Sequence, residues 1–448
     1  MRDAVIVEAV RTPVGKGKPN GSLAHVHPVQ LLAHTLRTLV ERSGVDPVLI
    51  DDVIGGTVDQ VGEQAMNTTR YAVLAAGLPE SVPATTVDRQ CGSSQQAVHF
   101  AAQGVMSGAY DLVVACGVES MSRVPMWSNV PEGKDPFGPG VAERYPDGLV
   151  PQGISAELIA AKWSLTRARM DEFAVSSHHK AAAAWRTGLF DAEVAPLDAV
   201  ARDECVRPDS TPEILAGLKP AYYDPGFAER FPQIEWNVTA GNASPINDGA
   251  SAVLITSSDT AARLGLRPLA RLHSFAVTGS DPLLMLTGVI PATEKVLRRA
   301  GLTLDDIDLF EVNEAFSSVV LAWQQEPADH VRGGRTRQRD GFGRRLRAGS
   351  GTGTGGGGVA SSGAPGTVAC RPCARRADSP TRWFWKASES GLRHGDRRGW
   401  GAVAVGHQAM TRPAAATSSS AAAMAASRRA ASTVRSAASR RPNAARAA

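Results

Sequence analysis

Arg89-Gln90-Cys91-Gly92-Ser93-Ser94 sets a thiol between a strand-like run, Ala84 to Val87, and an apolar helical stretch, Gln95 to Ser107. A cysteine at a helix N-terminus sits at the positive end of the macrodipole, so a lowered thiol pKa is expected. The small residues Gly92, Ser93 and Ser94 leave room for an acyl group to reach the sulfur, as covalent thioester chemistry requires. On spacing alone, a small buried core thiol fits the same position equally well.

Val312-Asn313-Glu314-Ala315-Phe316 follows the strand-like run Ile307 to Glu311 and opens a helix. An asparagine there can hold a water or a carbonyl oxygen in an oxyanion site, or it can cap the helix. Thr239-Ala240-Gly241-Asn242-Ala243-Ser244, followed by Asn247-Asp248-Gly249-Ala250, is a run of small and turn-forming residues. It lets the backbone approach a ligand, or simply connects two elements through several turns.

The elements that must hold these segments alternate between strand and helix. Residues 4–10 form a strand ended by Arg11-Thr12-Pro13, and 28–43 a helix with Leu32, Leu36, Leu39 and Val40 on one stripe. Asp52 to Gly56 is a short strand, Gln64 to Ala76 a helix, and Leu112 to Gly117 a strand too apolar for a sheet edge. This order predicts a layered α/β fold with a mostly parallel sheet. From about Ser120 to Asn237 the pattern loosens into an inserted loop domain. Regular α/β pattern resumes at Gly249–Thr256 and continues through 269–275, 291–300, 307–311 and a helix at 314–325, like a second copy of the first run.

Together these segments change the reading. Gln90-Cys91-Gly-Ser-Ser, Gly117-Val-Glu119-Ser120-Met121-Ser122, Thr239 to Ser244 with Asn247-Asp-Gly249, and Asn313-Glu-Ala-Phe316 occur in the order seen in thiolases. Val10-Arg11-Thr12-Pro13-Val14-Gly15 and Leu218-Lys219-Pro220-Ala221 match too. Several motifs in register are far more specific than any one alone. Roughly residues 1 to 326 resemble the degradative acyl-CoA thiolases.

The resemblance implies an α/β fold of duplicated αβαβα layers. Residues 1–119 would form the N-terminal half, 120–248 a loop domain over coenzyme A, and 249–326 an incomplete C-terminal half. It implies acyl transfer through Cys91 as nucleophile, with Asn313 positioning the water of an oxyanion hole. Arg207 would lie near the nucleotide, Ala240 and Ser244 along the pantetheine channel, and Ala315 and Phe316 at the acyl pocket. Coenzyme A and acyl-CoA enter as substrates, with no further cofactor and no metal. A homodimer or homotetramer is the implied assembly. Where many relatives carry His-Met before the loop-domain glycine, this chain has Pro151-Gln152 before Gly153.

At about Glu326 the composition breaks. Residues 327–448 hold 21 Arg, one Lys and five acidic residues, without Ile or Tyr, a net charge of +17 against −13 for the first 326. Such a switch in mid-helix is what a GC-rich gene yields when read out of frame. The thiolase Gly-His-Pro histidine and the second cysteine, in a Cys-x-Gly-Gly-Gly context, are missing from the sequence. His330, His394 and His407 lack that context, and Cys370-Arg-Pro-Cys373 has no glycines after it, so none takes a role. The tail is expected to be disordered, leaving the second half truncated and the chain inactive as written; a non-catalytic acyl-CoA or lipid carrier is the alternative.

Arginine with a single lysine and no interleaved aromatic pattern argues against nucleic-acid binding. No apolar run of about 18 residues marks a membrane span, and five cysteines without framework spacing suit a reducing cytoplasm.

Overall fold

The computed structural model describes residues 2–307, 309–330, 367–370 and 402–407. The chain divides into two units, Met1–Thr411 and Arg412–Ala448, and every described residue lies in the first.

The first half runs β1 (Val5–Arg11), β2 (Gly15–Lys16), α1 (Pro28–Ser43), β3 (Asp52–Gly56), α2 (Thr68–Ala75), β4 (Ala84–Val87), α3 (Ser93–Ser107) and β5 (Leu112–Ser120). Sequence sets these boundaries. His27 caps α1 by accepting from the Val29 N–H, Pro28 stands in its first turn, and Gly44 ends it at φ +67°. β5 is buried along its whole length and divides its side chains by the strand's period of two. Leu112, Val114, Cys116 and Val118 pack with Leu31, Leu32 and Leu36 of α1. Val113 and Ala115 pack with Ala97, Ala101 and Val105 of α3.

The loop region carries α4 (Pro139–Arg144), α5 (Gln152–Lys162), α6 (Arg167–Arg186), α7 (Pro212–Ala216) and α8 (Pro225–Arg230). Then follow β6 (Asn247–Thr256), α9 (Ser258–Arg263), β7 (Ala270–Thr278), α10 (Val289–Ala300), β8 (Leu309–Val312) and α11 (Ser317–His330). β6 lies between β5 and β1, antiparallel to both. It is thus inserted between two strands of the first run. In the second half Trp323 of α11 is fully buried, edge-on to Phe310 with ring centroids 5.3 Å apart. Its indole N–H donates to Thr293 Oγ1 of α10 at 3.0 Å. Full burial of such a ring contributes about 1.5–3 kcal/mol.

The tail contributes β9 (Thr367–Cys370) and β10 (Ala402–His407), and the sheet runs β4-β3-β5-β6-β1-β7-β10-β9-β8. For these ten residues, and for 327–330 at the end of α11, the expectation of a disordered tail is corrected; the rest of that expectation falls outside the described residues. Two strands fill the gap between β7 and β8, as β6 and β5 fill the gap between β1 and β3. The polarity differs. β6 is antiparallel to β1, and β5 parallel to β3. β10 is parallel to β7, and β9 antiparallel to β8. Both tail strands thus run opposite to the strands that fill the corresponding gap in the first half. No helix among the described residues is long and apolar enough to cross a membrane.

Candidate functional site

The loop from β4 to α3 presents Cys91. Asp88 Oδ1 accepts from the Gln90 N–H at 2.5 Å and Ser93 Oγ from the Arg89 N–H at 2.9 Å. Gln90 takes φ +48°, outside the range most side chains adopt. Gly56 and Gly117 let the start of α3 sit directly on β3 and β5. A Cβ on Gly56 would overlap the main chain of Ser93 and Ser94, and one on Gly117 would lie 2.7 Å from Ser94 Cβ.

Cys91 is partly accessible, whereas Cys116 and Cys205 are buried. Its thiol is nevertheless pushed up to about 11, by burial first and then by the Glu119 and Asp88 carboxylates; its own N–H and the Gln152 side chain pull the other way. The lowered pKa expected from the helix terminus is therefore corrected: desolvation and two nearby anions outweigh the macrodipole. Glu119 is itself fully buried. Burial pushes it up to about 7, although the N–H groups of Val58 and Asp59 and the Gln64 amide all donate to it.

The Asn313 loop is held by main chain. The Ser244 N–H donates to the Ala315 carbonyl at 2.9 Å, and the Ser317 N–H to the Asn242 carbonyl at 2.9 Å. Asn242 is fixed in turn: its amide donates to Asp171 Oδ1 at 2.8 Å, and its Oδ1 accepts from the Thr239 N–H at 2.9 Å. Asn313 is 5 % exposed, and neither its amide nitrogen nor its oxygen has a hydrogen-bond partner. α11 begins only at Ser317, so Asn313 does not cap it. Phe316 is buried against the edge of Tyr222, ring centroids 6.0 Å apart.

Helix α5 ties these parts together. Its Ala156 carbonyl accepts from Ser318 Oγ at 3.0 Å, and Glu157 accepts from the N–H groups of Asn237 and Val238.

An open pocket with an empty volume of about 440 Å³ lies between α6 and the Asn242 turn. Arg207, Ala240 and Ser244 line it, as do Cys205, His178 and Glu314. Ser177 Oγ donates to Glu314 Oε2 at 2.5 Å, and His178 Nδ1 accepts from the Arg207 N–H at 3.3 Å. Burial, with the Arg207 and His179 charges, lowers His178 to about 4.

Three expected site residues, Arg207, Ala240 and Ser244, thus share one pocket. Ala315 and Phe316 join it through the main chain. Cys91 and Asn313 lie outside its lining and do not bond each other. Sequence reasoning gave no role to Asp171, Glu119 or Tyr222; the only local signal for Tyr222 was Gly153, where a Cβ would strike its ring. Among the described residues no group of three metal-ligating side chains comes together. Cys373 and His394 fall outside the described residues. His407 ends β10, paired with Thr278 of β7.

Comparison with known proteins agrees with this architecture. The thiolase N-terminal domain pattern matches residues 4–259 and the thiolase C-terminal domain pattern residues 266–331, ending near the compositional break. The chain is 45 % identical over 338 residues to the steroid 3-ketoacyl-CoA thiolase FadA6 of Mycobacterium tuberculosis, covering 73 % of this chain and 79 % of that protein. It is 42 % identical over 331 residues to a 3-ketoacyl-CoA thiolase of Aliivibrio fischeri, covering 72 % and 82 %. The crystal structure of the Bacillus anthracis acetyl-CoA acetyltransferase superposes with a TM-score of 0.66 at 35 % identity, covering 81 % of this chain and 89 % of that one. With the Cys91 loop, the Asn313 loop and the turn between them in family order, the chain belongs to the thiolase family of acyltransferases.

Proposed function

We propose that the chain carries thiolase-type acyl transfer: thiolytic cleavage of a 3-ketoacyl-CoA, or the reverse Claisen condensation, through an acyl group on Cys91. In cleavage, the Cys91 thiolate attacks the 3-keto carbon. The bond to the adjacent carbon breaks, its electron pair leaves as the acetyl-CoA enolate and takes the proton that the Cys91 thiol gave up, and the thiol of a second coenzyme A then takes the acyl group and returns a proton to the sulfur. The observation that carries this reading is the joint between Ser244 and Ala315. It holds Asn313, with its unpartnered amide, beside the pocket of Arg207, Ala240 and Ser244. An amide buried without a partner is costly unless something else completes its bonds, and a substrate oxygen or its water would do so. Coenzyme A would run along Ala240 and Ser244 toward Arg207, with the acyl group toward Ala315 and Phe316.

Turnover is the weak step. With the thiol at about 11, Cys91 needs a base, and the sequence lacks the Gly-His-Pro histidine and the second cysteine. Losing a general base costs on the order of 10²–10⁴ in rate. The chain as written is therefore read as acylating slowly or stalling. The same high thiol pKa favours a second reading, an acyl-CoA carrier that binds without transfer.

Incubation with acetoacetyl-CoA, followed by peptide mass spectrometry and calorimetry, separates the two. An acetyl adduct on Cys91 supports transfer; binding heat without adduct supports the carrier; neither removes both. Translating all three frames of the coding DNA across codons 315 to 340 tests the break, and a frame that restores Gly-His-Pro makes the tail a frame-shift product.

A homodimer or homotetramer in a cytoplasmic setting completes the proposal. β4 stands at the outer edge of the sheet, and Tyr71, Leu74 and Phe100 on its covering helices are 45, 41 and 41 % exposed.

A further inference from the structure

We infer that Arg11 is a positioning residue for Arg207, acting through the segment Asp203 to Cys205, which it grips and which runs on into the wall of the pocket. Arg11 ends β1 and is buried; the acyl chemistry at Cys91 and Asn313 leaves its Arg-Thr-Pro stretch without a part. Its Nη1 and Nη2 donate to the two oxygens of Asp203 at 2.8 and 3.2 Å, and its Nε donates to Glu193 at 2.9 Å. Two parallel bonds from one planar fork fix direction as well as distance, which a lysine ammonium cannot do. The Val14 N–H and the Trp185 indole N–H complete Asp203 at 2.9 and 3.2 Å.

The next two residues are fastened to the same region. The Glu204 N–H donates to the Val14 carbonyl at 2.9 Å, and Glu204 Oε2 accepts from the N–H groups of Lys16 and Ser22. Cys205 Sγ donates to Asn247 Oδ1 of β6 at 3.2 Å. Thr12, beside Arg11, holds that strand in turn: its N–H donates to the Ala250 carbonyl at 2.9 Å, and its Oγ1 accepts from the Ala250 N–H at 3.1 Å. Two residues on, Arg207 is exposed and lines the pocket with Cys205. A long exposed side chain gains little from an anionic ligand unless its main chain is already in place. Arg11 supplies that placement and no field of its own, because its charge is spent on Asp203 and Glu193. This rests on the reading of the pocket as the coenzyme A channel.

The test is a double-mutant cycle on the full chain, with coenzyme A binding read by calorimetry and folding by thermal melting. Arg207→Ala should weaken binding about tenfold, the loss of one hydrogen bond to a charged group. Arg11→Lys keeps the charge and loses the fork, and it should weaken binding about fivefold. In the Arg207→Ala background the same Arg11→Lys change should alter binding by less than about twofold. A general loosening of the fold would cost the same factor in both backgrounds, and that result would overturn the inference while leaving the pocket reading intact. Native affinity in Arg207→Ala would overturn it too. A native chain that takes up no coenzyme A would instead remove the pocket reading, and the inference with it. If Arg11→Lys does not fold, Glu204→Ala, on an exposed side chain that frees two N–H groups of the same fastening, decides by the same cycle.

Discussion

The Ser244 N–H and the Ala315 carbonyl meet at 2.9 Å, and with the Ser317-to-Asn242 bond they lace the Asn313 loop to a turn far away in sequence. The turn is rigid because Asn242 spends its side chain on Asp171 and Thr239. Asn242→Ala leaves a buried Asp171 oxygen and the Thr239 N–H without partners. It should destabilise the chain by about 2–3 kcal/mol in urea unfolding. An unchanged midpoint would show that the turn is held by main chain alone.

Gly56 allows the start of α3 to rest on β3, with the Ser93–Ser94 main chain where a Cβ would be. Gly56→Ala must push that helix end outward. It should cost about 1–3 kcal/mol and speed Cys91 alkylation by exposing the loop. A variant that melts and alkylates like the native chain refutes the close approach.

The Asn313 side chain makes no hydrogen bond, so Asn313→Ala should leave stability unchanged or slightly raised. If its amide serves a substrate oxygen, Cys91 acetylation from acetoacetyl-CoA should fall by about 10²–10³. Stability lost together with acetylation would instead mark a structural residue.

His99 on α3 is fully buried with neither ring nitrogen bonded, packed 4.9 Å from the Phe275 ring, and burial lowers it to about 4. Its folded pKa lies below the unfolded value near 6.5. The stability tied to its neutral form is therefore present above pH 6.5 and lost as pH falls toward 4. His99→Leu should remove that loss. The variant's advantage should grow to about 2–3 kcal/mol by pH 4, read from melting curves at several pH values. A gap that does not widen with acid would count against a buried neutral imidazole.

Much of the scaffold was legible because its signals are local. Pro28 and Gly44 bracket α1, and the unbroken apolar run Leu112 to Gly117 required a strand covered on both faces. The three motif segments were visible in the sequence. What escaped depends on neighbours distant in sequence. The pattern at Gly249–Thr256 says strand, but not that it inserts between β5 and β1. Cys91 before a helix says thiolate, but Glu119 is buried beside it by the folding of β5. Asn313 before a helix says cap, but the main-chain lacing delays α11 to Ser317.

Strand direction in the second half decides which end of the sheet each tail residue reaches. Through β9, Val312 of β8 and Val405 of β10 both stand level with Thr367, while Leu309 and Ala402 stand level with Cys370. β9 therefore carries Cys370 to the end where β8 begins, away from Asn313. β10 runs the other way. It delivers Gly406 and His407 to the end where Asn313 and Glu314 leave β8, two strand spacings off, about 10 Å. A grafted segment can bring to that end only what its direction of travel carries there: the main chain of β10 reaches it at Gly406 and His407, while Cys370 stays at the other.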